Sequence, residues 1–310
     1  MKRFIYAALL ACTTLTASAD ETDNRRNSES HQASLDGRVV TDEGEANNVF
    51  TLQSNDALMS IDISKGGKIL SLKYKDQEII SQSRWPESFG STFWTSPQKE
   101  WNWPPVPEFD KQPYTVKQRD SHLVISSPVS ERLGMSVGKD FSVDAKDGAF
   151  VITYSIKNES QEPRRVAPWE ITRVTNGDGL IFFEAVDSIW PAGLMTFEKA
   201  QGASWYKTDE APQNRKVNAD GRGWLAYYAD GLLLVKKFQD LKAEEPAPGE
   251  AEIQVYVNRG KSYIELESQG AYTLLEPGAE LHWTVRWYVK PVDATANDLR
   301  SLLTTTVRGL

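Results

Sequence analysis

Cysteine is almost missing from the sequence. Cys12 is the only one among 310 residues, and it sits in the first few residues, so no disulfide framework, thiolate metal site or nucleophilic thiol is available to a folded domain. Histidine is nearly as scarce, with His31, His122 and His282 only. None of them has the spacing of a metal motif, so no metal and no other cofactor is implied. The formal charge is −8, with 35 Lys and Arg against 43 Asp and Glu and no basic stripe. That balance argues against nucleic acid or an anionic membrane as the main partner. Beyond the N-terminus no apolar run approaches the roughly 18 residues that a membrane helix needs, so no transmembrane segment is expected.

Aromatic residues are plentiful. Ten Trp, eleven Tyr and eleven Phe suit sheet cores and flat ligands. The N-terminus reads as an export signal over residues 1–19. Lys2 and Arg3 precede the apolar run Phe4 to Ala11, and Ala17-Ser18-Ala19 supplies small residues for cleavage. Leu9-Leu10-Ala11-Cys12 also has the form of a lipobox, which would make Cys12 a lipid anchor. Simple cleavage is the favoured reading because the apolar run before Cys12 is short. Either way the protein is expected in the periplasm or at the cell surface. Residues 20–48 are dominated by Asp, Glu, Asn, Ser and Arg and are expected to form a flexible tail.

From Val49 onward, β-rich runs alternate with turn signals such as Lys65-Gly66-Gly67, Asp147-Gly148 and Glu276-Pro277-Gly278. Phe150 to Ile156, Ile253 to Val257 and Trp283 to Val289 are β-branched, aromatic and largely alternating, which predicts antiparallel strands. Residues 49–310 are therefore read as one all-β domain. Leu299, Leu302 and Leu303 give a helical pattern over about 296–307, a short C-terminal helix. One segment breaks the rhythm. Residues 84–114 hold Trp85, Trp94, Trp101 and Trp103 with six prolines, and are expected to form a long ordered loop.

Three motifs point to chemistry. In Tyr263-Ile264-Glu265-Leu266-Glu267-Ser268-Gln269, strand alternation puts Glu265 and Glu267 on one face, about 7 Å apart. Paired carboxylates can hold sugar hydroxyls or act as a base; they can equally be solvated and paired with Arg286 or Lys261. Followed by Leu275-Glu276-Pro277-Gly278, the motif resembles the C-terminal part of aldose 1-epimerases. The resemblance implies that Glu267 is the general base for the anomeric hydroxyl. Ile152 to Ser160, followed by Val166-Ala167-Pro168-Trp169-Glu170-Ile171-Thr172-Arg173, resembles the epimerase strands that present a catalytic histidine, but Trp169 and Glu170 stand there instead. Glu170 is then the only acid to nominate, and it also has Arg173 or Arg165 within reach as an ion-pair partner. Trp169, Glu170 and Arg173 are expected to bind ligand. In Phe89 to Pro105, with Trp94, Gln98, Trp101 and Trp103, indoles and amides suit a sugar, though Trp clusters also plug cores.

Together these segments resemble a bacterial family of unknown function within the galactose mutarotase-like superfamily. The implied fold is a galactose mutarotase-like β-supersandwich with a saccharide on its concave face. Fold alone does not choose among an epimerase, a lyase or hydrolase accessory, and a non-catalytic glycan-binding module.

Overall fold

The computed structural model describes residues 39–41, 48–85, 88–119, 121–210 and 212–310. The export signal, Cys12, His31 and most of the 20–48 segment lie outside the described residues.

In chain order the strands begin with β1 (Val39–Thr41), β2 (Val49–Ser54), β3 (Ala57–Asp62), β4 (Lys68–Tyr74), β5 (Gln77–Glu78), β6 (Ser91–Ser96) and β7 (Thr115–Arg119). They continue with β8 (His122–Ser126), β9 (Met135–Asp144), β10 (Ala149–Asn158), β11 (Arg164–Val174), β12 (Leu180–Phe183), β13 (Glu198–Ala200) and β14 (Ala203–Lys207). The last are β15 (Arg215–Ala219), β16 (Trp224–Ala229), β17 (Leu232–Lys237), β18 (Ile253–Val257), β19 (Ile264–Gln269), β20 (Thr273–Leu275) and β21 (Glu280–Pro291). A short helix α1 (Pro107–Asp110) follows β6, and α2 (Leu299–Arg308) ends the chain.

Two antiparallel sheets result. The first runs β1-β2-β3-β4-β6-β11-β19-β18-β15, with β5 on β4 and β20 on β11. The second runs β13-β14-β12-β16-β17-β21-β10-β9-β8-β7. The expected strands fall inside β10, β18 and β21; in β10 and the first half of β21 buried and less buried residues alternate, which puts one face on the core, whereas β18 is buried on both faces save Tyr256. Val39–Thr41, within the segment expected to be a tail, pairs with β2. α2 starts where Asp298 accepts the backbone N–H of Ser301, an N-cap that satisfies one of the first-turn donors.

The tryptophan-rich segment is not the continuous loop its prolines suggest. Its first half contains β6, an interior strand with all six residues buried. The reason is that β6 carries an aromatic ring on each face and pairs the buried hydroxyls of Ser91 with Thr172, of Thr92 with Asp110 and of Ser96 with Gln269. Phe93 stacks on Tyr154 of the second sheet, with centroids 4.3 Å apart, while Trp94 faces the other way against Trp169. Gly90, at φ +62°, turns the chain into this strand, and a Cβ there would lie 2.3 Å from the Ile69 carbonyl oxygen.

Between the sheets lies a buried carboxylate. Glu170 on β11 takes an ion pair from Lys236 on β17 at 2.7 Å, and hydrogen bonds from Tyr154 Oη on β10 at 2.6 Å and Trp287 Nε1 on β21 at 2.9 Å. All three donors come from the opposite sheet, and both charged side chains are fully buried. Burial pushes the Lys236 ammonium below its ordinary range, and the Glu170 charge works against that shift. Glu170→Ala would leave the buried ammonium without its counter-charge, held by the Thr172 hydroxyl and the Leu266 carbonyl, at an expected cost of about 3–5 kcal/mol. Urea unfolding checks this: a loss below about 1 kcal/mol would contradict the clamp, and adding Lys236→Met should recover most of the loss.

Candidate functional site

The other face of the first sheet carries a cavity of about 670 Å³. Strand register explains how it is built. Trp94 on β6 pairs with Trp169 on β11. Arg173 and Ile171 on β11 pair with Glu265 and Glu267 on β19, and those two pair with Tyr256 and Gln254 on β18. Lys216 and Asn218 on β15 complete the two rows. Directly opposed residues share a face, so these side chains converge.

Glu267 stands at the centre and is 1% exposed. Its Oε2 accepts hydrogen bonds from Trp169 Nε1 and Lys216 Nζ, both at 2.9 Å. Among the described residues its Oε1 has no hydrogen-bond partner. Burial pushes the carboxyl above its ordinary value of 4.5. The Lys216 charge opposes that rise, and the Glu265 charge adds to it. Lys216 Nζ also lies 4.7 Å from the centre of the Trp169 ring, a cation–π contact that holds the ammonium beside the carboxylate. Glu265 is anchored differently, by Arg173 Nη2 at 2.7 Å. The Arg173 guanidinium in turn sits 5.8 Å from both the Trp94 and Tyr263 rings and donates to the Phe89 carbonyl.

Of the residues nominated from sequence, Glu267, Glu265, Trp94, Gln98, Trp103 and Trp169 line this cavity. Trp103 is 64% exposed at the rim, 6.3 Å from Trp94 and edge-on to it. Trp101 and Arg173 are buried beneath it. Trp101 braces Trp94 and Trp169 from 5.5 and 6.2 Å and donates its Nε1–H to the Thr95 carbonyl at 2.8 Å. Glu170 is a correction. It neighbours Trp169 on a strand, so it must face the opposite way, and it is locked between the sheets where no cavity ligand reaches it. The ion-pair partners also differ from expectation: Glu265 has Arg173, Glu267 has Lys216 and Glu170 has Lys236.

Lys216, Trp85, Ser88, Asn214, Tyr256, Asn258, Arg259 and Tyr263 complete the lining without having been nominated. A signal for some of them was present. Lys216-Val217-Asn218 and Gln254-Val255-Tyr256 alternate polar with buried apolar residues, as Glu265-Leu266-Glu267 does. His122 hydrogen-bonds Asp140 on the surface, His282 lies 3.9 Å from Glu280, and neither lines the cavity. Among the described residues, no group of three or more His, Cys, Asp or Glu is arranged to hold a metal ion, and no helix is long and apolar enough to cross a membrane.

No family model and no curated protein matches the sequence. Solved structures do match its shape. A galactose mutarotase-like protein from Lactobacillus casei ATCC 334 is 11% identical, covering 78% of this chain and 100% of its own, with a TM-score of 0.56. Galactose 1-epimerase from Lactobacillus acidophilus NCFM is 11% identical over 82% of this chain and 98% of its own, at 0.51. A TPR-domain containing protein from Parabacteroides distasonis ATCC 8503 is 13% identical over 82% of this chain, at 0.58. This chain spans 48% of that protein, about half its length. The fold is therefore the galactose mutarotase-like β-sandwich, and identities this low carry the likeness no further than fold.

Lys216 is the nearest positive charge on Glu267, so Lys216→Met should raise the Glu267 carboxyl pKa further. A carbon-13 NMR titration of the side-chain carboxyl would show it, and an unmoved or lowered value would contradict the electrostatics described.

Proposed function

We propose that the protein is an exported saccharide-binding protein in which Glu267 acts as the general base of an aldose-epimerase type reaction. The observation that carries this reading is the state of the Glu267 carboxylate. One oxygen is held by Trp169 and Lys216, and the other is buried and has no hydrogen-bond partner among the described residues, while the Glu267 side chain lines a cavity walled by indoles. An unpaired buried oxygen is costly unless a ligand completes it, and a hydroxyl is the matching donor. The apolar C–H face of a sugar ring suits the indole walls, while Gln98, Asn214 and Asn258 offer amides to the remaining hydroxyls.

In the proposed step, Glu267 Oε1 takes the proton of the anomeric hydroxyl as the bond from the anomeric carbon to the ring oxygen breaks. The ring oxygen must gain a proton, and the Lys216 ammonium is the donor assigned to it. Rotation of the open-chain aldehyde and the reverse transfers then close the other anomer. Lys216 takes the place for which the sequence had offered Glu170.

A second reading, a binding module without catalysis, is favoured by one specific observation. Glu265 is committed to Arg173 and Glu170 to Lys236, so no second acid is left uncommitted beside Glu267.

Anomer exchange by NMR or polarimetry on freshly dissolved sugars separates the two. The wild type should accelerate exchange, and Glu267→Gln should remove about 10²-fold or more of that acceleration. The carboxylate is the active form and burial raises its pKa, so the rate should climb with pH through a value above 4.5. Unchanged exchange with saturable quenching of tryptophan fluorescence would select the binding module, and neither response would end the saccharide reading. Export rests on the N-terminal segment alone. Recovery of full-length protein from the cytoplasmic fraction of its native host, with residues 1–19 intact, would contradict it.

A further inference from the structure

Three tryptophans are strongly exposed among the described residues: Trp85, Trp103 and Trp190. The first two rim the cavity of Glu267. Trp190, 41% exposed, lines a second cavity of about 230 Å³ together with Asp187, Ser188, Asp220 and Glu250.

The two cavities belong to one surface. Trp190 pairs with Asn218 through two backbone hydrogen bonds, Asn218 N to Trp190 O at 2.7 Å and Trp190 N to Asn218 O at 3.0 Å. This extends the sheet one step past β15. Asn218 pairs with Gln254 and Gln254 with Glu267, and the Gln254 amide donates to Asn218 Oδ1 at 2.8 Å on that face. Opposed residues share a face, so Trp190 stands on the side of the sheet that carries Glu267. Three inter-strand steps of about 4.8 Å separate them, about 14 Å in all. Only a thin wall lies between the cavities: Gln98 lines the first, Glu250 lines the second, and the Gln98 backbone N–H donates to Glu250 at 3.2 Å.

A single pyranose ring cannot reach from Glu267 to Trp190. We infer that the ligand is a neutral oligosaccharide lying across both cavities, with one end at Glu267 and a later ring stacked on Trp190. The inference rests on the saccharide reading given above and adds the length and charge of the ligand. The charge follows from the lining of the second cavity, where Asp187, Asp220, Glu250 and Glu252 are the ionisable groups and no basic side chain is present. Carboxylates accept hydrogen bonds from paired hydroxyls and repel uronate or sulfate. Asp220 has a buried Oδ1 with no hydrogen-bond partner among the described residues, an acceptor suited to a hydroxyl.

Calorimetric titration of the whole protein with cello-, manno-, xylo- and galacto-oligosaccharides, from monosaccharide to pentasaccharide, tests this. Oligogalacturonides serve as the anionic comparison. For the recognised sugar, affinity should rise at least about tenfold between the monosaccharide and the tri- or tetrasaccharide. Trp190→Ala should bring the longer ligands back to the affinity of the wild type for the monosaccharide. The Trp190 side chain is partly exposed, and an unchanged thermal midpoint would show the variant folded. Equal affinity at every length, a length gain that survives Trp190→Ala, or tighter binding of oligogalacturonides would overturn the inference while leaving the saccharide reading intact. No response to any sugar of any length would remove both.

Discussion

The carboxylate of Glu170, buried between the two sheets and held by Lys236, Tyr154 and Trp287, is the constraint on which the rest of the structure depends. It fixes which way β11 faces. With Glu170 turned into the sandwich, the neighbouring positions Trp169, Ile171 and Arg173 must turn out of it, and that outer face is where the cavity forms. The same alternation runs through β6, where Phe93 packs inward on Tyr154 and Trp94 outward on Trp169. A slip of one residue in β11 would place the Glu170 carboxylate in the cavity and an indole in the ionic clamp, and a slip in β6 would exchange the faces of Phe93 and Trp94. An ionic clamp is costly to break by halves, since either partner alone is a buried charge. It therefore selects one register strongly, whatever its net contribution to stability.

The outer face repeats the pairing of buried carboxylates with cations, but leaves one of them incomplete. Glu265 is closed off by Arg173, whose guanidinium is itself wedged between Trp94 and Tyr263. Glu267 receives Trp169 and Lys216 on one oxygen only. The difference is chemically decisive. A carboxylate held by a buried guanidinium is anchored, whereas one that is desolvated, raised in pKa and left with one unpartnered oxygen is both a hydrogen-bond acceptor and a base in waiting. Trp101, fully buried under the neighbouring indoles, keeps that arrangement rigid without meeting the ligand.

Much of this was legible from the sequence, and its failures have identifiable causes. Alternation in β10, β18 and β21 announces an antiparallel sandwich, and the shared face of Glu265 and Glu267 follows from strand geometry alone. The same geometry, applied to Trp169-Glu170, forbids both from serving one cavity. Likeness to a motif that presents a histidine obscured that rule. β6 was read as loop because prolines crowd the sequence after it, whereas its own residues place one aromatic ring on each side, Phe93 and Trp94, among small hydroxyl residues of which Ser91, Thr92 and Ser96 find buried partners. Alternation over Lys216-Val217-Asn218 marks a polar face of β15, but only cross-strand register over β15, β18 and β19 brings Lys216 to Glu267. Trp190 is further still from any local signal, being joined to the sheet by an isolated pairing with Asn218.

The central claim is that the open oxygen of Glu267 is completed by a sugar hydroxyl. A crystal structure of the protein with a bound saccharide tests it most directly. The account predicts a ring hydroxyl within about 3 Å of Glu267 Oε1, with the ring packed against an indole of the cavity wall. A saccharide held elsewhere on the surface, or one that fills the cavity and leaves that oxygen without a partner, would contradict it.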